Sequence, residues 1–318
     1  MTAFPVIALT GATGFIGGAI LSHLTSSGRH VRALYRPRKG RSPPSFPGVE
    51  WLSGNLEDEG SLQALVAGTE AVIHCAGAVR GASRADFDRI NVDATGRLAQ
   101  VAARQARPPR FLLISSLAAR MPGLSHYAAS KWSGECAVKA AADRMHWAAL
   151  RPPAVYGPGD RELVPLFRCI ANGFALLPGD ASGRFSLLYV DDLAAAAMRW
   201  LVGDAGFGQA FELDDGRAGG YDWDAVLDIS GRALHGGRPV RRIAIPLPLL
   251  KLAAFANLVA ARLLGYPPML TPGKIREITH QDWVCDSHDF RSVTGWQPLF
   301  KLEQGLACTF GKRLSESG

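Results

Sequence analysis

An apolar strand pattern runs directly into a glycine-rich turn near the start of the sequence. Residues 6–17 read VIALTGATGFIG, and a helical pattern follows. Gly11 permits a sharp turn, Gly14 lets the backbone approach a pyrophosphate, and Gly17 lets the helix pack closely on the strand. The N–H groups at the start of such a helix have no partners within it and attract an anion. The segment therefore predicts a strand, a turn and a helix that together hold the phosphates of a dinucleotide.

The first two thirds of the sequence alternates between strand and helix patterns. Short apolar runs, typical of strands buried on both faces of a sheet, lie at Val6–Thr10, Val31–Tyr35, Val49–Leu52, Ala71–Cys75, Phe111–Ser115, Trp147–Leu150 and Ala210–Leu213. Helical patterns lie at Phe15–Ser27, Ser61–Ala67, Asp86–Gln105, Tyr127–Asp143 and Asp191–Val202. The alternation predicts an α/β fold of the Rossmann type, in which crossover helices doubly wind a parallel sheet.

The pattern loosens beyond residue 155 into glycines, prolines and single helices, and it returns to a strand once before further helical segments. We therefore predict an NAD(P)-binding domain from residues 1–156 and 184–215. Residues 157–183 and 216–318 are predicted to form a smaller, mainly helical substrate-binding domain. A crevice between the two domains is the expected place for ligands.

The glycine-rich segment also carries a family resemblance. Residues 10–17, TGATGFIG, resemble the TGxxGxxG signature of the short-chain dehydrogenase/reductase family, and the GFIG ending resembles its extended branch. That branch includes sugar-nucleotide epimerases and dehydratases, 3β-hydroxysteroid dehydrogenases and dihydroflavonol reductases. Further matches occur at residues 54–58 (GNLED), 74–77 (HCAG), 91–95 (NVDAT) and 151–158 (RPPAVYGP). The resemblance implies a Rossmann-type fold with cofactor contacts from Gly11, Thr13, Gly14, Phe15, Ile16, Gly17, Asn55, Leu56, Cys75, Ala76, Gly77, Asn91, Pro152 and Val155. We expect His74 to be a strand-end histidine with its hydrogen bonds satisfied inside the protein.

The residues after the second predicted strand bear on the choice of dinucleotide. In NAD-binding folds, an acidic residue about 20 positions beyond the glycines bonds the ribose 2′-hydroxyl. Here residues 34–37 read LYRP with no carboxylate, and Arg38, Lys39 and Arg41 follow. Arginine forms charge-assisted hydrogen bonds with phosphate oxygens. The cluster therefore predicts NADP, with Arg36 on the 2′-phosphate. NAD and a merely solvated basic loop are the alternatives.

A strand that ends in two serines precedes a tyrosine and a lysine. Residues 111–116 read FLLISS, and Tyr127 and Lys131 follow within YAASK. Residues four apart lie on one face of a helix. A phenol with a pKa near ~10 is a poor base at neutral pH. A nearby ammonium, together with the positive nicotinamide, should lower that pKa and favour the phenolate. The resemblance implies that Tyr127 moves the proton, that Lys131 supports it and contacts the cofactor with Ser115, and that Ser116 holds the substrate oxygen. Ser115 is the second candidate for that last role.

The resemblance admits three functions: a reductase or dehydrogenase, a sugar-nucleotide epimerase or dehydratase, and an NADP-binding protein without catalysis. Members that act on sugar nucleotides usually carry Asn at the position of Ala154 and Arg at the position of Phe185, and many separate the catalytic hydroxyl and tyrosine by a longer segment. These departures favour an oxidoreductase that transfers hydride between NADP(H) and a carbonyl or secondary alcohol of a small, apolar substrate. Candidate substrate contacts are Arg80, Ser116, Ser125, His126, Val155, Tyr156 and Arg184.

Composition and charge set further expectations. The net charge is +7, but basic residues bunch between residues 29 and 41 instead of forming a stripe, so nucleic acid is not predicted as a partner. The five cysteines are irregularly spaced and form no Cys-x-x-Cys pair. This pattern indicates neither a disulfide framework nor a metal site, and it suits the cytoplasm. The first residues do not resemble a signal peptide.

One apolar segment, Ile245 to Gly265, raises the question of a membrane. Lys251, Asn257 and Arg262 interrupt the segment, and each would be costly at the centre of a bilayer. We expect a packed helix of the smaller domain rather than a spanning helix, with weak interfacial association as an alternative. The resemblance also implies a possible homodimer, formed by the helices Asp86–Gln105 and Tyr127–Asp143.

Overall fold

Parallel strands organise this computed structural model, which describes residues 6–37, 43–179 and 182–314. The strands are β1 (Val6–Thr10), β2 (His30–Tyr35), β3 (Val49–Ser53), β4 (Ala71–His74), β5 (Arg110–Ile114), β6 (Trp147–Arg151), β7 (Ala154–Tyr156), β8 (Phe174–Pro178), β9 (Arg184–Phe185), β10 (Leu187–Tyr189), β11 (Gln209–Glu212), β12 (Arg241–Ile245) and β13 (Asp282–Trp283). Seven of them form one sheet in the order β11-β6-β5-β4-β1-β2-β3. Each predicted strand is present in that sheet within two residues of its predicted ends.

The helices are α1 (Phe15–Ser26), α2 (Glu59–Val66), α3 (Arg84–Asp88), α4 (Thr95–Ala103), α5 (His126–Ala141), α6 (Val164–Ala171), α7 (Val190–Val202), α8 (Trp223–Leu234), α9 (Leu247–Leu264), α10 (Pro272–Ile278), α11 (His288–Thr294) and α12 (Leu302–Leu314). The predicted helix Asp86–Gln105 is divided, because a π-helical turn at Arg89–Ala94 joins α3 to α4. Such turns admit an extra residue into a helix and often occur at functional sites.

Successive residues of the central strands point to opposite faces of the large sheet. Ile7 and Leu9 of β1 pack in one core with helices α1 and α7, whereas Ala8 packs in a second core with α2 and α4. The strand order reverses beside β1, whose neighbours are β2 on one side and β4 on the other. In doubly wound sheets, ligands bind at the carboxyl ends of the strands at such a reversal. The sheet therefore places the loops after β1 and β4 at a binding position.

Three two-stranded pairs, β7–β10, β8–β12 and β9–β13, lie outside the large sheet. A third core packs helices α6, α8 and α12 against these strands, and most of its members come from residues 157–183 and 216–318. The predicted division into two domains stays a prediction.

Helix α9 is peripheral. In the part of the chain that the structure describes, it is the one helix long and apolar enough to cross a membrane by length and composition. Only two of its residues, Ala254 and Ala261, are fully buried.

Candidate active site

Three glycines shape the turn between β1 and α1. Gly11 has a φ of 72°, and a Cβ there would lie 2.7 Å from the backbone nitrogen of Ala76. A Cβ on Gly17 would lie 2.1 Å from the Gly11 carbonyl oxygen, so neither position accepts a side chain without rearrangement. Gly14 is the N-cap of α1, where no side chain bonds the first N–H groups and the first turn has no acidic residue. The turn therefore presents a helix N-terminus that fits a dinucleotide pyrophosphate.

The loop after β4 lies beside this turn. His74, the last residue of β4, is buried, and its ring nitrogens bond Thr10 Oγ1 at 2.6 Å and Thr95 Oγ1 at 2.9 Å. Burial, with a smaller effect from the charge of Lys131, lowers the pKa of His74 to about 3. Thr10 Oγ1 also accepts a hydrogen bond from the Ala76 N–H at 3.2 Å. The prediction of a satisfied strand-end histidine is confirmed, and the ring fixes the loop beside the glycines.

A continuous crevice of about 2320 Å³ extends from the glycine turn past the N-terminus of α5 to α9 and α10. The predicted cofactor residues that line it are Gly11, Thr13, Gly14, Phe15, Ile16, Gly17, Arg36, Cys75, Gly77, Ser115, Tyr127, Pro152 and Val155. Arg38, Lys39 and Arg41 lie outside the described residues.

Other predicted cofactor residues support the crevice without lining it. Asn55 Oδ1 accepts a hydrogen bond from the Glu57 N–H at 2.7 Å, and Leu56 is buried in the second core. Ala76 is also packed against that core, and its N–H bonds Thr10. Asn55 and Leu56 therefore hold the loop after β3 in place, and Ala76 holds the loop after β4.

Asn91 connects two elements of the site from within the π-helical turn. Its Oδ1 accepts from the Ala78 N–H at 2.8 Å, and its Nδ2 donates to Ser130 Oγ at 2.8 Å. Gly134 lets α5 approach, since a Cβ there would lie 2.3 Å from the Asn91 carbonyl oxygen. The structure therefore gives Asn91 a positioning role between the loop after β4 and α5. Sequence reasoning missed Gly134, because its partner lies 43 residues away in the sequence.

Tyr127 and Lys131 lie one turn apart on α5, which begins after its N-cap Ser125. Tyr127 lines the crevice. Lys131 is buried behind it, and its Nζ donates to the Ile114 carbonyl oxygen at 2.8 Å. The predicted shared face of the helix is present, and the end of β5 holds the lysine.

Burial is the largest effect on the pKa values of Tyr127 and Lys131. It raises the pKa of Tyr127 to about 12, while the nearby Ser116 hydroxyl acts to lower that pKa and the Glu277 carboxylate acts to raise it. It also lowers the pKa of Lys131 to about 8, although Glu135 opposes this. The expectation that Lys131 would bring the pKa of Tyr127 below its ordinary value is wrong for the chain alone. Desolvation of the phenol is the largest effect, and the ammonium is directed at a backbone carbonyl.

The two serines at the end of β5 have different partners. Ser116 Oγ accepts from the Ala118 N–H at 3.2 Å and lies close enough to Tyr127 to act on its pKa, whereas Ser115 Oγ donates to the buried carboxylate of Glu135. Glu135 also receives hydrogen bonds from Arg151, from Nε at 3.0 Å and from Nη2 at 2.6 Å. This ion pair lies one helical turn beyond Lys131, and sequence reasoning missed it. The i, i+4 spacing of Lys131 and Glu135 was the available signal.

The carboxylate of Glu277, on α10, lines the crevice. It is buried, accepts a hydrogen bond from Ser125 Oγ, and pairs with Lys274 Nζ at 2.9 Å. Ser125 and Glu277 are 152 residues apart, so no local pattern could predict this contact. The pair fixes α10 against the N-terminus of α5, beside Tyr127.

Residues 7–209 match the model of the NAD dependent epimerase/dehydratase family. The chain belongs to this family. It is 36% identical to a ceramide reductase of Caulobacter vibrioides, over 89% of this chain and 86% of that protein. It is 28% identical to a 3 beta-hydroxysteroid dehydrogenase/Delta 5-->4-isomerase of Mycobacterium tuberculosis, over 94% and 88% respectively. Among solved structures, MoeE5 in complex with UDP-glucuronic acid and NAD superposes with a TM-score of 0.76 at 23% identity, covering 98% of this chain and 99% of that one. The predicted family, an extended short-chain dehydrogenase/reductase, and the Rossmann-type fold are confirmed.

The predicted substrate contacts of this epimerase/dehydratase family member divide into two groups. Ser116, Ser125, His126 and Val155 line the crevice. The other three, Arg80, Tyr156 and Arg184, do not line it.

Each of those three side chains has another partner. Arg80 pairs with Glu162 at 2.6 Å, and Arg184 Nε donates to the Gly219 carbonyl oxygen at 2.9 Å. Tyr156 is buried, with its ring centroid 5.6 Å from that of Tyr189. The structure therefore does not support a substrate role for them.

Proposed function

We propose that this protein is an NAD(P)-dependent reductase that acts on a ketone carried by a long-chain lipid. The observation that carries the proposal is the position of Tyr127, which lies beside Ser116 in a crevice that joins the glycine turn to an extended apolar wall. A nucleotide and an apolar substrate can therefore meet at one hydroxyl.

The chain's own residues would hold the dinucleotide and manage the proton. The glycine turn and Arg36 would hold its phosphates, and Ser115 and Lys131 would border its reactive half. When bound, NAD(P)H supplies the hydride that reduces the carbonyl carbon. Ser116 orients the carbonyl oxygen, and Tyr127 donates its proton to that oxygen, giving a secondary alcohol. Since the pKa of Tyr127 is raised to about 12, the phenol is protonated at neutral pH, which suits the reductive direction. The resulting phenolate then regains its proton from solvent.

The size and lining of the crevice support a lipid as the substrate. Pockets for one small molecule enclose about 300–1,000 Å³. The crevice encloses about 2320 Å³, enough for a dinucleotide and a large second ligand. Its far wall carries apolar side chains, including Leu163, Leu166, Leu176, Leu247, Leu258 and Met269. The similarity to a ceramide reductase supports the same substrate class, so we replace the small substrate expected from the sequence with an acyl-chain-bearing one.

Two features oppose a sugar nucleotide. Arg184, the nearest arginine to the position where such enzymes hold a diphosphate, is engaged by Gly219. Ala154, which lines the crevice, stands where members that act on sugar nucleotides usually carry an asparagine that helps to hold the substrate.

The experiment is a comparison of substrates with the purified protein. We expect loss of NADPH absorbance with the ketone that corresponds to the secondary alcohol of a ceramide, and the Tyr127→Phe variant should lose at least about a hundredfold in turnover. Conversion of UDP-glucose to an epimer without net oxidation of NADPH would refute the proposal.

We also propose that the cofactor is NADP rather than NAD. Arg36 directly follows β2 and lines the crevice, and no carboxylate stands at that strand end. Arg36→Ala should raise the KM for NADPH about tenfold or more and leave that for NADH nearly unchanged. Equal affinity of the wild-type protein for both cofactors would contradict the assignment.

A further inference from the structure

Helix α9 carries an apolar face that the protein leaves uncovered. At 3.6 residues per turn, one side of the helix combines large aliphatic and aromatic side chains. Leu252 is 64% exposed, Phe255 is 61% exposed and Leu263 is 80% exposed. The exposed large apolar residues of this outward face are Leu249, Leu252, Phe255, Val259 and Leu263. A contiguous apolar patch of this kind marks an interaction surface.

The opposite side of α9 packs against the rest of the protein. Ala254 and Ala261 are fully buried, and Asn257 Nδ2 donates to the Leu270 carbonyl oxygen at 2.8 Å. Leu258 lines the crevice. The helix is therefore one wall of the site, with its second face turned away from the fold.

The charges on α9 itself have one sign. The helix carries Lys251 and Arg262 and no aspartate or glutamate. Lys251 and Arg262 lie along the same edge of α9, and both are exposed. An apolar face bordered by cations is the pattern of helices that lie in the headgroup region of anionic membranes.

We propose that α9 docks on an anionic lipid bilayer and lies in its interface, with the outward face buried among the headgroups and upper acyl chains. The helix does not span, because both of its ends return to the same body. Before it, Ile245 of β12 pairs with Pro178 of β8, and after it, the Pro268 carbonyl oxygen accepts from the Gly81 N–H. Docking places the α9 wall of the crevice at the membrane surface, where a lipid substrate would enter.

A second copy of the chain fits this face less well. A symmetric antiparallel pairing that crosses between Ala256 and Asn257, one residue from the middle of α9, would bring Lys251 of one copy toward Arg262 of the other. Like charges brought together in a partly desolvated contact oppose association. An anionic surface neutralises both.

The test is flotation of the full-length protein with vesicles of phosphatidylglycerol and phosphatidylethanolamine, compared with vesicles of phosphatidylcholine. The wild-type protein should float with the anionic vesicles, less so as salt is raised. Leu252→Glu should weaken partition at least about tenfold. Lys251→Gln should weaken it about fivefold. The matched control is Leu299→Glu, the same change at a residue that is 74% exposed outside α9, and it should float like the wild type.

Three outcomes would overturn the docking proposal: no flotation of the wild type, flotation of Leu252→Glu equal to the wild type, or a wild-type dimer that Leu252→Glu dissociates without any vesicle binding. Thermal melting of Leu252→Glu shows whether the variant is folded. Flotation needs no turnover, so its failure is separate from failure of the reductase assignment.

Discussion

Replacing Glu135 by glutamine removes the charge at the centre of the network behind Tyr127 and Lys131. The Glu135 side chain is 7% exposed and that of Arg151 is 21% exposed, and three hydrogen bonds from Arg151 and one from Ser115 converge on the carboxylate. Removing one partner of a buried ion pair costs about 3–5 kcal/mol. We take about 3 kcal/mol, the lower end of that range, because Arg151 keeps some contact with water. For a chain of this length, that corresponds to a fall in Tm of about 5 °C.

The same substitution should change the pKa of Lys131. Glu135 opposes the effect of burial, so its neutralisation should move that pKa further below about 8. The assays are urea denaturation and the pH dependence of turnover, whose limb assigned to Lys131 should move to lower pH. The matched control is Asp204→Asn, which breaks the ion pair of Arg110 with a carboxylate that is 92% exposed and should leave stability nearly unchanged. If Glu135→Gln were as stable as Asp204→Asn and kept the wild-type pH profile, the positioning role of this network would be refuted.

The glycine turn, the buried His74 and the exposed part of α5 each allow a further test. Gly17→Ala should weaken cofactor binding about tenfold or more in a fluorescence titration, because its Cβ would lie 2.1 Å from the Gly11 carbonyl oxygen. The control Gly18→Ala should bind the cofactor normally, because the nearest atom to its Cβ is 3.6 Å away. The pKa of His74 is about 3 in the folded protein, against an ordinary value of 6.5, so the unfolded state binds more protons between these values. The free energy of unfolding should therefore fall as pH drops through that window, and His74→Asn should weaken this dependence in urea titrations. Trp132 is 47% exposed on α5, and we expect it to lie in the homodimer contact predicted from the family resemblance. Trp132→Glu should therefore give a monomer in analytical ultracentrifugation. A sedimentation coefficient equal to that of the wild type would contradict this interface.

The sequence predicted the features that depend on neighbours along the chain. Apolar runs specify buried strands through side-chain alternation and length, and the order of strands and helices specifies a parallel sheet. The turn at Gly11 needs a positive φ, and Gly17 needs the absence of a side chain, so both can be recognised locally. The shared face of Tyr127 and Lys131 follows from helical spacing alone.

The tertiary structure decided what depends on distant parts of the chain. Glu277 reaches Ser125 across 152 residues, and Arg184 bonds Gly219 instead of lining the crevice. The pKa of Tyr127 is raised because several elements bury the phenol together, an effect that the nearby lysine could not indicate. The outward face of α9 is uncovered only because no other element of the fold packs over it within the described residues. Burial and electrostatics sum over whatever the fold brings together, whereas turn geometry and side-chain periodicity are fixed within a few residues of sequence.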